Sequence, residues 1–106
     1  MSSKSNFSDS TSKSYALALY QLSQENSELN KVEESMKSLS QLLKDSKDFY
    51  EMIINPTVGK EEKKNILLSI ADKNNFPNVL KKFLGFISIK NRLFFLSKIC
   101  DAFLNL

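Results

Sequence analysis

The sequence contains no histidine and only one cysteine, Cys100. Histidine is the commonest general base and metal ligand, and zinc clusters or cysteine nucleophiles need further cysteines or a histidine partner. A single cysteine cannot form an internal disulfide, and its apolar neighbours Ile99 and Phe103 predict that it is simply buried. These absences argue against a catalytic or metal-binding domain.

Glycine and proline are also scarce, with two residues of each. A glycine-rich phosphate loop is therefore excluded, and an all-β fold would need turn residues about every 8–12 positions. The acidic pairs Glu33-Glu34 and Glu61-Glu62 are adjacent in sequence, so their side chains diverge by about 100° on a helix. No run of about 18 apolar residues is present to cross a bilayer. We expect a non-enzymatic helical domain with no cofactor, no metal and no direct membrane insertion.

The basic residues are unevenly distributed and are almost all lysine. Arg92 is the only arginine among fifteen basic residues. Residues 1–58 carry six bases against eight acids, whereas residues 59–106 carry nine against four. The basic excess is compatible with a helical nucleic-acid-binding module. A helical adaptor that binds other proteins is a second possible function. Arginine is the usual side chain for bidentate phosphate and base recognition, so its scarcity favours a solvated lysine-rich face and no nucleic-acid partner.

Apolar residues recur at helical spacing in six successive segments. The first covers residues 12–23 and places an apolar stripe at i, i+3, i+4 and i+7. The stripe consists of Tyr15, Ala18, Leu19 and Leu22. The second segment runs from a cap predicted at Ser27 to about residue 44, and the third from a cap at Ser46 to the break at Asn55-Pro56.

Three further segments complete the pattern. The fourth follows Gly59 and ends at Asn74-Asn75, the fifth begins near Pro77, and the sixth runs from about Arg92 to the end. The connections are short, so we predict an all-α fold, a compact bundle of about six helices over residues 12–106. Residues 1–11 are polar and serine-rich, and we expect them to form a disordered tail.

The fifth segment is apolar over more than the width needed to bury one face. Its core stripe consists of Leu80, Phe83, Leu84 and Ile87. A second ridge beside it consists of Val79, Phe83, Phe86 and Lys90. Two interpretations are open: a central helix buried on most sides, or a helix that forms one wall of a partner groove. Gly85 lies inside this helix at a cost of about 1 kcal/mol relative to alanine, and such a glycine can mark close approach of another backbone.

Three motifs resemble those of the delta subunit of F-type ATP synthase, a family similar to the mitochondrial oligomycin-sensitivity-conferring subunit. The segment from Ser14 to Tyr20 resembles the family's opening motif, an Arg-Tyr-Ala preceding Ala-Leu-Phe. The segment from Ile54 to Leu67 resembles its second signature, an Asn-Pro followed by an apolar residue, a helix cap and Glu-Glu-Lys. The third match is Lys82-Phe83-Leu84 with Asn91-Arg92-Leu93 downstream. The motifs follow the family's order and spacing, and the resemblance covers residues 12–106.

The sequence departs from the family pattern at three positions. Ser14 replaces an arginine, Gly59 stands where serine or threonine commonly caps the helix, and Asn91 replaces an arginine or glycine. These changes leave the helix plan intact but put any arginine-mediated contact of the family in doubt. The full family protein is longer and engages the b subunit through a C-terminal domain. We therefore expect this sequence to be the N-terminal domain alone.

The resemblance implies a non-catalytic stator subunit that supports proton-driven ATP synthesis. The bundle would sit on the catalytic head and hold it against rotor torque by binding the N-terminal helix of an alpha subunit between its first and fifth helices. The expected groove residues are Tyr15, Ala18, Leu19, Leu22, Val79, Lys82, Phe83 and Phe86. The assignment of Leu19, Leu22 and Val79 depends more on spacing than on resemblance.

The expected location is peripheral, at the cytoplasmic face of a bacterial inner membrane. No targeting presequence is visible at the start of the sequence. The mitochondrial matrix side and the chloroplast stroma are the alternatives, because both compartments hold related complexes.

Overall fold

A computed structural model describes the backbone of residues 3–106 and the side chains of residues 9–106. Within residues 3–106, six α-helices follow one another. They are α1 (Ser3–Glu25), α2 (Leu29–Asp45), α3 (Lys47–Ile54), α4 (Lys60–Lys73), α5 (Asn78–Ile89) and α6 (Leu96–Leu104), with a 3₁₀ turn at Leu93–Phe95 before α6. No strand occurs in residues 3–106. The predicted all-α fold of about six helices is confirmed.

The first helix begins earlier than the apolar pattern indicated. The sequence predicted a disordered tail over residues 1–11, but residues 3–11 form the first turns of α1; residues 1 and 2 lie outside the described part. No glycine or proline interrupts this stretch, and once a helix is nucleated each added residue gains a hydrogen bond. Asp9 also approaches α6, where its carboxylate lies 3.2 Å from Lys98 Nζ.

One of the two predicted serine caps is present. Ser46 caps α3, because its Oγ accepts a hydrogen bond from the Phe49 backbone N–H at 3.1 Å. Ser27 does not cap α2, which begins at Leu29. Ser27 instead adopts the left-handed conformation, with φ at 55°, and the N–H of Glu28 bonds back into the last turn of α1 at 2.8 Å. Ser27 therefore ends one helix rather than starting the next.

The hydrophobic core lies where the helices cross. α6 packs against α1 and α2, α4 packs against α5, and α5 contacts α1. The largest fully buried side chains include Leu19, Met36, Leu39, Ile53, Leu67, Leu80, Leu84, Ile87, Leu96 and Ile99. Every helix contributes to this one core, so α1 and α5 are held side by side with one flank of each directed to solvent.

Cys100 is fully buried in α6, as its neighbours predicted. Burial, with a smaller contribution from the Asp101 carboxylate, raises the pKa of the Cys100 thiol from 9.0 to about 12. A thiol with so high a pKa is protonated at neutral pH and unreactive. Cys100 is therefore a packing residue.

Close backbone approach does not explain Gly85. A β-carbon built at this position would have Lys64 Cε as its nearest neighbour, at 3.7 Å, which is an ordinary van der Waals distance. The backbone of Gly85 is also not in the left-handed region. An alanine would fit here, so the glycine is not required by the fold.

None of the helices in residues 3–106 is both long enough and apolar enough to cross a membrane.

Candidate partner-binding groove

A cleft of about 750 Å³ lies between α1 and α5. Side chains of both helices and of the α1–α2 connection line it. They are Tyr15, Ala18, Leu22, Asn26, Glu28, Asn78, Val79, Lys82, Phe83 and Phe86. Seven of the eight residues predicted from the sequence therefore lie around one cleft.

The eighth predicted residue, Leu19, does not line the cleft. Its side chain is completely buried in the core, so its assignment as a groove residue is wrong. Adjacent helical residues are rotated by about 100°, and Leu19 therefore points inward when Ala18 faces the cleft. A stripe at i, i+3, i+4 and i+7 is wide enough to include both core and groove positions, and spacing alone cannot separate them.

The fifth helix has a buried side and an exposed side. Leu80 and Leu84 are fully buried, whereas Phe86 is 51% exposed. Phe83 lies between the two sides: it is almost buried, and its ring contacts that of Tyr15 edge-on with the centroids 6.4 Å apart. Of the two interpretations of this helix, burial on most sides is wrong for the flank that carries Phe86. That flank forms one wall of the cleft.

The opposite wall, on α1, is shallow. Ala18 is exposed to the cleft and carries only a methyl group, so a helix could approach the α1 backbone closely here. Leu22, one turn further along, is 44% exposed, and Tyr15 is half-buried. Apolar side chains at successive turns of a helix are what an amphipathic partner helix needs for binding.

The α5 wall is positively charged. Lys82 lies one turn before Phe86, and Lys90 lies one turn after it with its Nζ 5.8 Å from the Phe86 ring centroid. Lys81 is paired with Asp72 at 2.8 Å, but Lys82 forms no ion pair with a described residue. The ammonium group of Lys82 is therefore available to an acidic group of a partner.

Sequence reasoning missed three polar residues of the cleft: Asn26, Glu28 and Asn78. Asn26 and Glu28 follow the last turn of α1, and Asn78 is the first residue of α5. A pattern of apolar residues at helical spacing does not include polar residues at the ends of helices. The only signal was the helix break recognised at Asn26-Ser27, because residues at a helix end face whatever lies beside that end.

The cleft is suited to contact rather than to reaction chemistry. Its lining contains one carboxylate, Glu28, and one ammonium group, Lys82. Within the described part of the chain, no three potential metal ligands come together.

Comparisons with known proteins show the family of the chain. Residues 11–106 match the model of the ATP synthase delta (OSCP) subunit family. The ATP synthase subunit delta of Pelagibacter ubique is 37% identical over 103 residues, which are 97% of this chain and 56% of that protein. The subunit delta of Rhodospirillum rubrum is 32% identical over 90 residues, or 85% of this chain and 48% of that protein.

A solved structure shows the same fold. A chain in the cryo-EM structure of the Toxoplasma gondii mitochondrial ATP synthase hexamer matches 87% of this chain with a TM-score of 0.82 and 27% identity, over 51% of its own length. The chain thus spans about half the length of the relatives it matches. The family resemblance seen in the sequence motifs is confirmed: the chain belongs to the ATP synthase delta (OSCP) subunit family.

Proposed function

We propose that this domain is a non-catalytic part of the stator of F-type ATP synthase. It binds the N-terminal helix of an alpha subunit in the cleft between α1 and α5, and so holds the catalytic head against rotor torque while ATP is made elsewhere in the complex. The observation that carries the proposal is the cleft itself, a largely apolar groove between α1 and α5 in a member of this family.

The dimensions of the cleft support a helical partner. The wall formed by α1 and the residue after it runs from Tyr15 to Asn26, which at about 1.5 Å per residue is roughly 16 Å. A partner helix of about three turns has this length. Such a helix would cover the exposed parts of Leu22 and Phe86, and burial of apolar surface contributes about 25 cal/mol per Å².

The packing of the two walls supports a mechanical function. α1 is anchored by Ala16 and Leu19, and α5 by Leu80 and Leu84, all of them fully buried in the same core. The walls cannot separate without exposing this core to water. A force applied through the bound helix would therefore be transmitted to the whole bundle rather than to a flexible loop.

The proposed location of the domain and its other contacts in the complex follow from the family to which it belongs. We place the domain at the periphery of the membrane, on the side of the catalytic head, and at the cytoplasmic face in a bacterium. We assign contact with the b subunit to a C-terminal domain outside this sequence, and none to the cleft.

The direct test is a titration of the domain with a synthetic peptide of the alpha-subunit N-terminal helix from the same genome. Isothermal calorimetry should show saturable one-to-one binding, and a scrambled peptide of the same composition should not bind. Backbone amide NMR shifts should change around the cleft and not around Phe94, an exposed phenylalanine outside it. Absence of saturable binding, or shifts centred on Phe94, would contradict the proposal.

A further inference from the structure

The lining of the cleft changes character along α1. Tyr15 lies at one end, where its ring meets Phe83, followed by Ala18 and Leu22 at successive turns. The other end is polar and is formed by Asn26 and Glu28. An apolar helix would therefore fit one end of the cleft and meet an amide and a carboxylate at the other.

Glu28 is the carboxylate at this end of the cleft. Its side chain is half-buried and makes no capping bond to α2 and no ion pair with a described residue. Asn26 differs, because its side-chain amide donates to the Leu22 carbonyl oxygen at 2.8 Å. Of the two polar groups at this end, Glu28 is the one left free to pair with a ligand.

We propose that Glu28 fixes the direction of the bound helix by pairing with a cationic group near one of its ends. This inference rests on the proposed function and names the chemistry of the partner more closely. The partner is an amphipathic helix of about three turns, apolar where it faces Tyr15 and Leu22, and cationic where it reaches Glu28. The cation is a lysine, an arginine or the free amino group of the chain.

Direction follows from the cost of burying an unpaired charge. A partner helix bound with its cation at Glu28 covers the carboxylate and supplies its counter-charge. The reversed helix would cover the half-buried carboxylate with apolar side chains. Water would then be removed from the charge without a counter-charge to replace it. Glu28 therefore acts against the wrong orientation as well as for the right one.

The test uses two variants of the domain with the same change in net charge. Glu28→Gln removes the carboxylate at the end of the cleft, and Glu25→Gln removes an exposed carboxylate three residues earlier that does not line the cleft. Both are titrated with the alpha-subunit peptide at low and at physiological salt. Peptide variants with an acetylated N-terminus, or with each lysine or arginine replaced by glutamine in turn, identify the cation.

We expect Glu28→Gln to weaken binding roughly three- to tenfold, with a smaller loss at higher salt, and Glu25→Gln to bind like the parent. One peptide variant should bind the parent domain more weakly than the unmodified peptide does, by the same factor. The same variant and the unmodified peptide should bind Glu28→Gln with equal affinity. Circular dichroism and thermal melting of both variants confirm that the fold is unchanged.

Three results would overturn the inference. If the parent domain binds the peptide and Glu28→Gln binds equally well, the direction is not set by Glu28, although the proposed function stands. If the loss persists against every peptide variant, charge pairing is not its cause. If the parent domain does not bind the peptide at all, both the inference and the proposed function are wrong.

Discussion

Replacement of Phe86 by alanine tests whether this residue contacts a partner or only stabilises the core. Phe86 projects from α5 with 51% of its surface exposed, and it lines the cleft. If a partner helix binds there, the exposed half of the ring becomes buried on binding. The variant should therefore lose affinity while the domain still folds.

The magnitude follows from the area. A phenylalanine buries about 150–250 Å² in all, so the exposed half of Phe86 leaves about 100 Å² for a partner to cover. At about 25 cal/mol per Å² this corresponds to about 2.5 kcal/mol if the area is covered completely, and less if it is covered in part. An affinity loss of roughly ten- to sixtyfold is expected.

The matched control is Phe94→Ala. Phe94 is similarly exposed, at 58%, but it lies in the 3₁₀ turn before α6 and does not line the cleft. Both substitutions remove a half-exposed ring, so both should lower the melting temperature to a similar extent. Calorimetric titration with the alpha-subunit peptide should show a loss of affinity for Phe86→Ala alone.

Two outcomes of the titration would contradict a docking role for Phe86. Equal affinities for Phe86→Ala, Phe94→Ala and the parent would show that the partner does not cover Phe86. Equal losses in both would indicate a general loss of structure rather than removal of an anchor, and circular dichroism would then show reduced helicity in both.

Three further predictions concern the groove and the core. Ala18→Asp should abolish peptide binding, because it adds bulk and an unpaired charge to the α1 wall at a cost of several kcal/mol. The control Leu17→Asp, at the adjacent exposed position, should bind like the parent. Equal titration curves for the two variants would place the partner elsewhere. Gly85→Ala should raise the free energy of unfolding by about 0.5–1 kcal/mol in urea titrations, because the added methyl meets only Lys64 Cε at 3.7 Å; a decrease would mean that the glycine is required. The Cys100 thiol should resist Ellman's reagent in the native domain. Burial raises the pKa of this thiol from 9.0 to about 12, so the stability that the buried, protonated thiol contributes should be full below pH 9 and decline as the pH rises towards 12. Urea midpoints measured at pH 8 and pH 10 should show this decline in the parent and not in Cys100→Ala.

The sequence by itself determined the fold class and the order of the helices. Apolar spacing, the Ser46 cap and the break at Asn55-Pro56 are local signals, and each depends only on residues a few positions apart. They placed α2 to α6 within a few residues of their observed bounds. The early start of α1 was missed because residues 3–11 carry no apolar stripe, and helical propagation needs none.

Only the tertiary structure decided which apolar residues form the core and which form the cleft. Leu19 and Leu22 belong to the same helical stripe, yet Leu19 is fully buried and Leu22 is 44% exposed. The difference arises because α6 and α5 pack against α1 from particular directions, and no local pattern contains those directions. The polar end of the cleft has the same origin: Glu28 follows the last turn of α1, and only the packing of α5 beside that helix makes it part of the cleft.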